Sequence, residues 1–403
     1  MRVLFLASYF PKPTNPFMGT WALAQARALV RQGVELRTLS FTSWVPKLAG
    51  GLSQGARAFA RCPPSHSWDS SLAVEYPRWL VYQAGMMRRL SQRHPHAPMA
   101  LGWLTARRRL SEVVASWRPD VVYAHHSAVN GYLAHRLAGA ENTPYVITDH
   151  SFGDITDCAG HPARERFLRP IVNDASRMIS VSSRMEALVR GAFPGARTVT
   201  LHNGTDPVPA DFLSRPRPAQ LRDRVVVFSA AFFSERKGLP QLIEAFARVA
   251  DRHPRAVLRI AGDGPQREAV RSAVGRAGLG DRIMLLGRLS HAHVLQEMAW
   301  SDVFALIGWD EPFGVVFSEA AACSLPILLA SDCGFNDVFR DGVHGFSTPP
   351  RDPAAAAERL EALLADPDRR RAMGRAAFNL WVSRLTWDAH AAQLASILRA
   401  AIA

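Results

Sequence analysis

Two glutamates, Glu311 and Glu319, stand eight positions apart in the stretch EPFGVVFSE with almost nothing polar between them. The flanking runs DVFALIGW and AAACSLPILLAS are apolar enough for a core, so a carboxylate there needs a partner or a ligand. A second candidate is Arg236-Lys237-Gly238, placed between the run VVVFSAAF and a helical pattern opening at Leu239-Pro240. Exposed amide hydrogens at a helix start attract anions, and a guanidinium and an ammonium just before them make a site for a diphosphate. The plain alternative is a solvated turn with two incidental cations. Gly262-Asp263-Gly264, opened into a helix by Pro265, is a weaker signal, because any tight strand-to-helix turn can use one GxG. His125, His126 and His150 complete the set. One such histidine is most often a satisfied structural residue, but three at one end of one sheet point to a site.

The elements that must position these residues repeat a pattern: a short β-branched run, a Gly or Pro loop, then an apolar segment of helical period. RVLFLAS leads to the helix WALAQARALVRQG, where Trp21, Ala24, Ala28 and Leu29 can share a face and Gly33 is a stop. Strands are expected at VELRTLS, DVVYAH, YVITDH, MISVS and TVTLH, and again at VVVFSAAF, AVLRIAG, IMLLG, DVFALIG and PILLA. Strands alternating with helices imply parallel sheets covered on both faces, with ligands at the carboxyl ends of the strands. The proline-rich stretch DFLSRPRPAQLRD places a linker near residue 215. The expected domains are 1–213 and 220–375, with a helical tail at 376–403 that returns to the first domain.

At 403 residues the chain exceeds what a single core usually supports. Its formal charge of +13 permits an anionic partner, although an arginine-rich, GC-rich coding bias accounts for much of it; the lysines are Lys12, Lys47 and Lys237. Four scattered cysteines exclude a disulfide framework or a CxxC metal site and suggest a reduced, cytoplasmic compartment. No apolar run reaches the length of a membrane span.

In order and spacing these motifs resemble family 4 of the glycosyltransferases, retaining enzymes of the GT-B fold. The resemblance rests on EPFGVVFSEAAACSLPILLAS with its E-x7-E pair, RKG at 236–238, IAGDGP at 260–265, HNGTD at 202–206 and NPFMGTWALAQARAL near the start. It covers essentially the whole chain and is weakest over 41–118. It implies an α/β architecture of two Rossmann-like parallel-sheet domains facing each other across a cleft, the first for acceptor and the second for donor. It also implies transfer of a sugar from a UDP-, GDP- or ADP-sugar to an acceptor hydroxyl with retained configuration, in cell-surface polysaccharide or glycolipid synthesis. Arg236 and Lys237 then neutralise the donor diphosphate, Glu319 accepts from the ribose, and Glu311 lies beside the donor sugar with the amides of Phe313 and Gly314. His125 aligns with the histidine that approaches the transferring sugar, giving a catalytic set of Glu311, Lys237, Arg236 and His125. Gly19 lets backbone approach the phosphates, Gly262 and Gly264 join the donor set, and His126 and His150 fall on the acceptor side. Relatives generally need no metal and no organic cofactor. Both acids are expected to face the cleft while the valines and the phenylalanine between them fill the core.

Three departures stand out. Phe232 and Ala231 occupy positions where many relatives have an arginine, one glycine at Gly19 replaces two, and Cys333 and Asp337 replace a glycine and a glutamate. Between Tyr76 and Arg118 there are eight arginines, including Arg88, Arg89, Arg107, Arg108 and Arg109, against the single acid Glu112. Trp79, Tyr82, Trp103 and Trp117 are interleaved with them, which suits peripheral docking on the anionic inner face of a cell membrane as well as it suits a solvated helical pair. A nucleic-acid binder lacks any zinc-finger, RNA-recognition or helix-turn-helix pattern to support it. An epimerase or phosphorylase on the same fold explains RKG together with E-x7-E less well.

Overall fold

The computed structural model describes residues 1–47, 51, 53–81, 94–150, 153 and 161–403. The chain forms two compact units, Met1–His202 together with Trp387–Ala403, and Asn203–Thr386. Tyr82, Arg88, Arg89, Arg93 and Cys158 lie outside the described residues.

The first unit contains β1 (Arg2–Leu6), β2 (Glu35–Leu39), β3 (Thr42–Ser43), β4 (Ser65–Ser67), β5 (Ala73–Glu75), β6 (Arg78–Trp79), β7 (Val121–His125), β8 (Tyr145–Asp149), β9 (Arg177–Ser180) and β10 (Thr198–Thr200). Its main sheet runs β10-β9-β8-β7-β1-β2-β5-β4, parallel except for β4 against β5, while β3 and β6 pair separately. β1 and β7 are apolar and almost wholly buried because helices cover both faces of a parallel sheet. The helix Thr20–Arg31 buries Ala22, Leu23, Gln25, Ala26, Ala28 and Leu29. Trp21 and Ala24, expected on that face, lie at its half-covered edges. The buried arc is displaced and widened because the helix also packs against the helix Trp387–Ile402, whose Ala391, Leu394 and Leu398 share one core with Val3, Phe5, Leu29 and Tyr123. Gly33 does end the first helix, at φ 74°.

The second unit holds β11 (Val225–Ala230), β12 (Ala256–Ala261), β13 (Ile283–Gly287), β14 (Val303–Leu306), β15 (Ile327–Ala330) and β16 (Gly345–Thr348). All are parallel in the order β13-β12-β11-β14-β15-β16, so the winding reverses between β11 and β14. β16 is not evident in the sequence because Gly-Phe-Ser-Thr carries a single large apolar side chain. Its glycine is required, since a Cβ at Gly345 would lie 2.0 Å from the Ile327 carbonyl oxygen.

The proline-rich stretch expected to mark the boundary falls inside the second unit. Arg217 pairs with Asp302 at 2.9 Å and Gln296 Nε2 donates to the Phe212 carbonyl at 3.0 Å, so these prolines shape a packed segment. The division comes earlier, between His202 and Asn203. Trp79, read as a surface aromatic, is a core residue at 3% exposure against Phe41. Among the described residues no helix is long and apolar enough to cross a membrane.

Candidate active site

In an open α/β sheet, the loops leaving the two strands at the reversal point cannot cover each other and so leave a crevice at their carboxyl ends. In the second unit those loops follow β11 and β14, and they carry Arg236-Lys237 and Glu311 respectively. Two glycines let the loops touch. A Cβ at Gly238 would lie 2.7 Å from the Ile307 oxygen, and one at Gly308 would lie 2.7 Å from the Arg236 oxygen. The Trp309 amide donates to that same Arg236 carbonyl at 2.8 Å, and Arg236 Nη1 donates to the Asp310 carbonyl at 3.0 Å. With the backbones fixed in this way, Lys237 Nζ forms an ion pair with Glu311 Oε2, the two side chains 15% and 13% exposed. Gly238, at φ 63°, then opens the helix Leu239–Ala250, whose amide end adds to the positive field.

Glu319 sits in the helix Val315–Ala322, which begins just after Gly314. Gly314 has φ 85°, and a Cβ there would strike the Phe317 ring at 2.6 Å and approach Glu311 Cγ at 3.2 Å. Phe313 and Phe317 are buried and pack on Phe335, each with ring centroids 5.4 Å away. Val315 and Val316 are only half-buried, contrary to the expectation that they fill the core, because they form the helix's first turn at the mouth of the loop. The Gly334 amide donates to the Glu311 carbonyl at 2.9 Å, and the buried Cys333 thiol donates to the Phe313 carbonyl at 3.5 Å, so the unusual Cys333 helps hold the Glu311 loop from beneath. Glu319 Oε1 meets His291 Nε2 at 2.7 Å, and this bond raises the His291 pKa above its usual range against the opposing effect of burial.

Gly262 and Gly264 follow β12. A Cβ at Gly262 would lie 1.9 Å from the Ala231 oxygen, and one at Gly264 would lie 2.6 Å from the Phe233 oxygen. Both glycines therefore serve the close packing of this turn on the loop that carries Arg236 and Lys237. Phe232 itself is 64% exposed.

The first unit repeats the logic at its own reversal point, between β1 and β7. Gly19, in the loop after β1, has φ 68° and comes so close to Tyr9 that a Cβ would lie 2.2 Å from its oxygen. His125 ends β7, His126 follows at φ 69°, and His150 follows β8. Their rings cluster, with centroids of His125 and His150 4.6 Å apart and of His126 and His150 5.8 Å apart. His125 is fully buried, and burial followed by the neighbouring histidines pushes its pKa well below the ordinary value.

A chain of directed bonds fixes its tautomer. His390 Nδ1 must donate to the His202 carbonyl, at 2.7 Å. Its Nε2 then accepts from Gln25 Nε2 at 2.6 Å, leaving Gln25 Oε1 to accept from His125 Nε2 at 2.8 Å. Tyr123 Oη lies 3.2 Å from the same His125 nitrogen. His125 Nδ1 is thereby left as a lone pair, buried and without a hydrogen-bond partner among the described residues.

Comparison with known proteins agrees with this geometry. Residues 18–208 match the family described as Glycosyltransferase Family 4, and residues 211–380 match Glycosyl transferases group 1. Glycogen synthase of Mycobacterium tuberculosis is 30% identical over 300 residues, covering 71% of this chain and 70% of that one. The chain belongs to glycosyltransferase family 4. A GDP-mannose-dependent alpha-(1-6)-phosphatidylinositol monomannoside mannosyltransferase of the same organism is 29% identical to this glycosyltransferase over 322 residues, 76% of this chain and 82% of that one. The solved sucrose-phosphate synthase of Thermosynechococcus elongatus shares the fold, with TM-score 0.75 and 19% identity over 99% of this chain and 98% of that one. The two Rossmann-like units are those of the GT-B fold.

Among the residues expected to act, the glycosyltransferase brings Lys237, Arg236 and Glu311 together in one unit and His125, His126 and His150 together in the other. Glu319 is engaged by His291, which sequence reasoning missed. The signal was present, since His291 follows β13 at the same carboxyl edge, behind Ser290, whose hydroxyl caps the helix His291–Ala299. Gln25 and His390 were also missed, being 365 residues apart in sequence. Among the described residues no group of three or more His, Cys, Asp or Glu side chains could hold a metal ion.

Proposed function

We propose that this glycosyltransferase moves a hexosyl group from a nucleoside-diphosphate sugar to a hydroxyl of a glycan or lipid-linked acceptor with retained configuration, in cell-surface polysaccharide or glycolipid synthesis. The donor belongs to the second unit and the acceptor to the first. The observation that carries the reading is the pairing of Lys237 with Glu311 where the strand order reverses. A cation held half-buried by a carboxylate is placed to exchange that partner for a diphosphate. As the bond from the anomeric carbon to the diphosphate oxygen breaks, negative charge collects on the leaving group, and Lys237, Arg236 and the helix amides that follow stabilise it. Glu311, released from Lys237, accepts from the sugar hydroxyls, and the amides of Phe313 and Gly314 donate to the hydroxyl oxygens. Glu319 accepts from the ribose, and His125 stands on the acceptor side with His126 and His150.

Docking on an anionic leaflet is supported by one face of the helix His96–Trp117. There Leu101 and Leu104 are 43% and 56% exposed beside the exposed Arg107 and Arg108. Arg108 also pairs with Glu112 at 3.0 Å, and Arg109 pairs with Glu75 and Glu112.

The test is a thermal-shift panel of UDP-, GDP- and ADP-sugars followed by a transfer assay with the sugar that stabilises most, since a ligand that binds the folded state raises the melting point. Stabilisation by one class and acceptor-dependent release of its nucleotide are expected. Absence of stabilisation by every nucleotide sugar overturns the reading.

A further inference from the structure

The backbone of His126 is left-handed, and two buried side chains grip the chain on either side of it. A residue with a Cβ is uncommon at φ 69° and keeps that conformation only where its surroundings impose it. On the amino side, Asn130 Nδ2 donates to the His125 carbonyl at 2.8 Å. On the carboxyl side, Asp149 Oδ1 accepts from the Ser127 amide at 2.8 Å and Oδ2 accepts from the Ser127 hydroxyl at 2.6 Å. Asn130 and Asp149 are 0% and 1% exposed. With both flanks held, the His126 ring sits 6.4 Å from that of His125 and 5.8 Å from that of His150.

Asn130 reaches His125 because His126–Gly131 forms a wide π turn instead of an α turn, which returns the side chain of its fifth residue to the carbonyl that ends β7. The rest of the amide is also used. Its Oδ1 accepts from the Ser8 hydroxyl at 2.8 Å, in the loop after β1, and the Ser8 carbonyl accepts in turn from the buried Lys12 ammonium at 3.1 Å. The direction of this chain is forced, since a carbonyl only accepts: Asn130 must present nitrogen to His125 and oxygen to Ser8. One buried amide therefore ties the loops that leave β1 and β7, where the strand order of the first unit reverses. It differs in kind from the Lys237–Glu311 pair of the second unit. That pair is charged and can exchange a partner for a diphosphate, whereas a neutral amide with no exposed surface has nothing to exchange with.

We propose that Asn130 is a positioning residue for glycosyl transfer, holding His125 and His126 at the geometry the reaction needs while touching no substrate itself. The chain of bonds stands on the first unit alone. The effect on turnover rests on the transferase reading above.

The decisive variant is Asn130→Asp, which keeps the shape and the acceptor for Ser8 but, when ionised, sets a carboxylate oxygen against the His125 carbonyl where an N–H stood. Burial raises the pKa of the introduced carboxyl, and its protonated form can donate again. Turnover is measured at a temperature where circular dichroism shows parent and variant equally folded. It should fall at least about tenfold at alkaline pH, with the Michaelis constant for the nucleotide sugar little changed. The ratio of variant to parent turnover should then climb as pH falls through the pKa of the new group, a recovery that a merely structural role would not produce in folded protein. Ser8→Ala removes the hydroxyl that orients the amide, so it should lower turnover in the same direction, and it decides the matter if Asn130→Asp does not fold. Parent turnover in either folded variant, or a ratio flat with pH, overturns the proposal. A parent that transfers sugar from no nucleotide sugar sinks the transferase reading instead, and NMR then still tests the positioning. The His126 ring resonances should follow ionisation of the introduced carboxyl, and resonances that ignore it overturn the proposal.

Discussion

Lys237 and Glu311, on loops 74 residues apart, neutralise each other across the reversal point of the second sheet. Each of the two groups most suited to the donor is therefore occupied by the other until a ligand competes. Breaking a half-buried pair from one side leaves the other charge exposed to the local field, so the two single substitutions are not equivalent.

Lys237→Ala should lower turnover by about a hundredfold, on the order of 3 kcal/mol of lost electrostatic stabilisation, in a protein that still folds. Glu311→Ala should also reduce transfer, yet it frees the Lys237 ammonium and so should tighten binding of the nucleoside diphosphate. Calorimetry of the diphosphate against both variants checks this. Weaker diphosphate binding by Glu311→Ala would show that the two groups do not compete.

The His291–Glu319 contact makes a pH-dependent prediction. Because Glu319 raises the His291 pKa, the stabilisation from this contact is complete below the ordinary histidine value of 6.5 and is lost as pH rises through the higher folded value. On the proposed role of Glu319, a ribose hydroxyl competes with His291 for the same carboxylate. In Glu319→Gln the His291 titration, followed by NMR, should move down towards 6.5, and the Michaelis constant for the donor should rise more than turnover falls.

The chain from His125 through Gln25 to His390 predicts the opposite sign. Burial lowers His390 to about 4 and His125 well below 6.5, so both are neutral in the fold and protonated in the unfolded chain at mildly acidic pH. Melting temperature should hold above about pH 6.5 and fall steadily towards pH 4. Gln25→Leu strands the His390 nitrogen and weakens the hold on His125, at a cost of about 1–3 kcal/mol. Gln25→Glu, which can accept from both rings, should raise both histidine pKa values. Nitrogen chemical shifts should report the proton of His125 on Nε2 in the parent, and a proton on Nδ1 would contradict the chain of donors.

Leu394, fully buried in the first unit's core by the helix Trp387–Ile402, tests the packing. Leu394→Ala should cost about 2–5 kcal/mol in chemical denaturation. A loss below about 1 kcal/mol would mean that this helix is not part of the cooperative core.

What could be read from the sequence follows from where the signal is local. Central strands such as β1, β7, β12 and β15 are legible as apolar runs because parallel strands are buried on both faces, and the loops after β11 and β14 announce themselves by charge beside glycine. β16 was silent because its one large side chain leaves no alternation to read, and Trp79 misled because an aromatic among arginines looks the same whether it points in or out. The Gln25–His390 bond joins residues that only the completed fold brings together, and nothing near either of them in sequence names the other. Gly262 and Gly264 were legible as a turn, but the backbone of residues 231–233 that requires them lies thirty residues away.

The return of Trp387–Ile402 to the first unit also bears on how the chain is made. The second unit is continuous in sequence and can complete its core as soon as Thr386 has emerged, whereas the first unit must wait for residues nearly 400 positions from its first strand. During synthesis the apolar face of Thr20–Arg31 stays uncovered while an entire later unit is built, so the amino-terminal half is the last to close. Pulse-labelling on stalled ribosomes should find the second unit protease-resistant first, with the first unit becoming so only when the final helix is released.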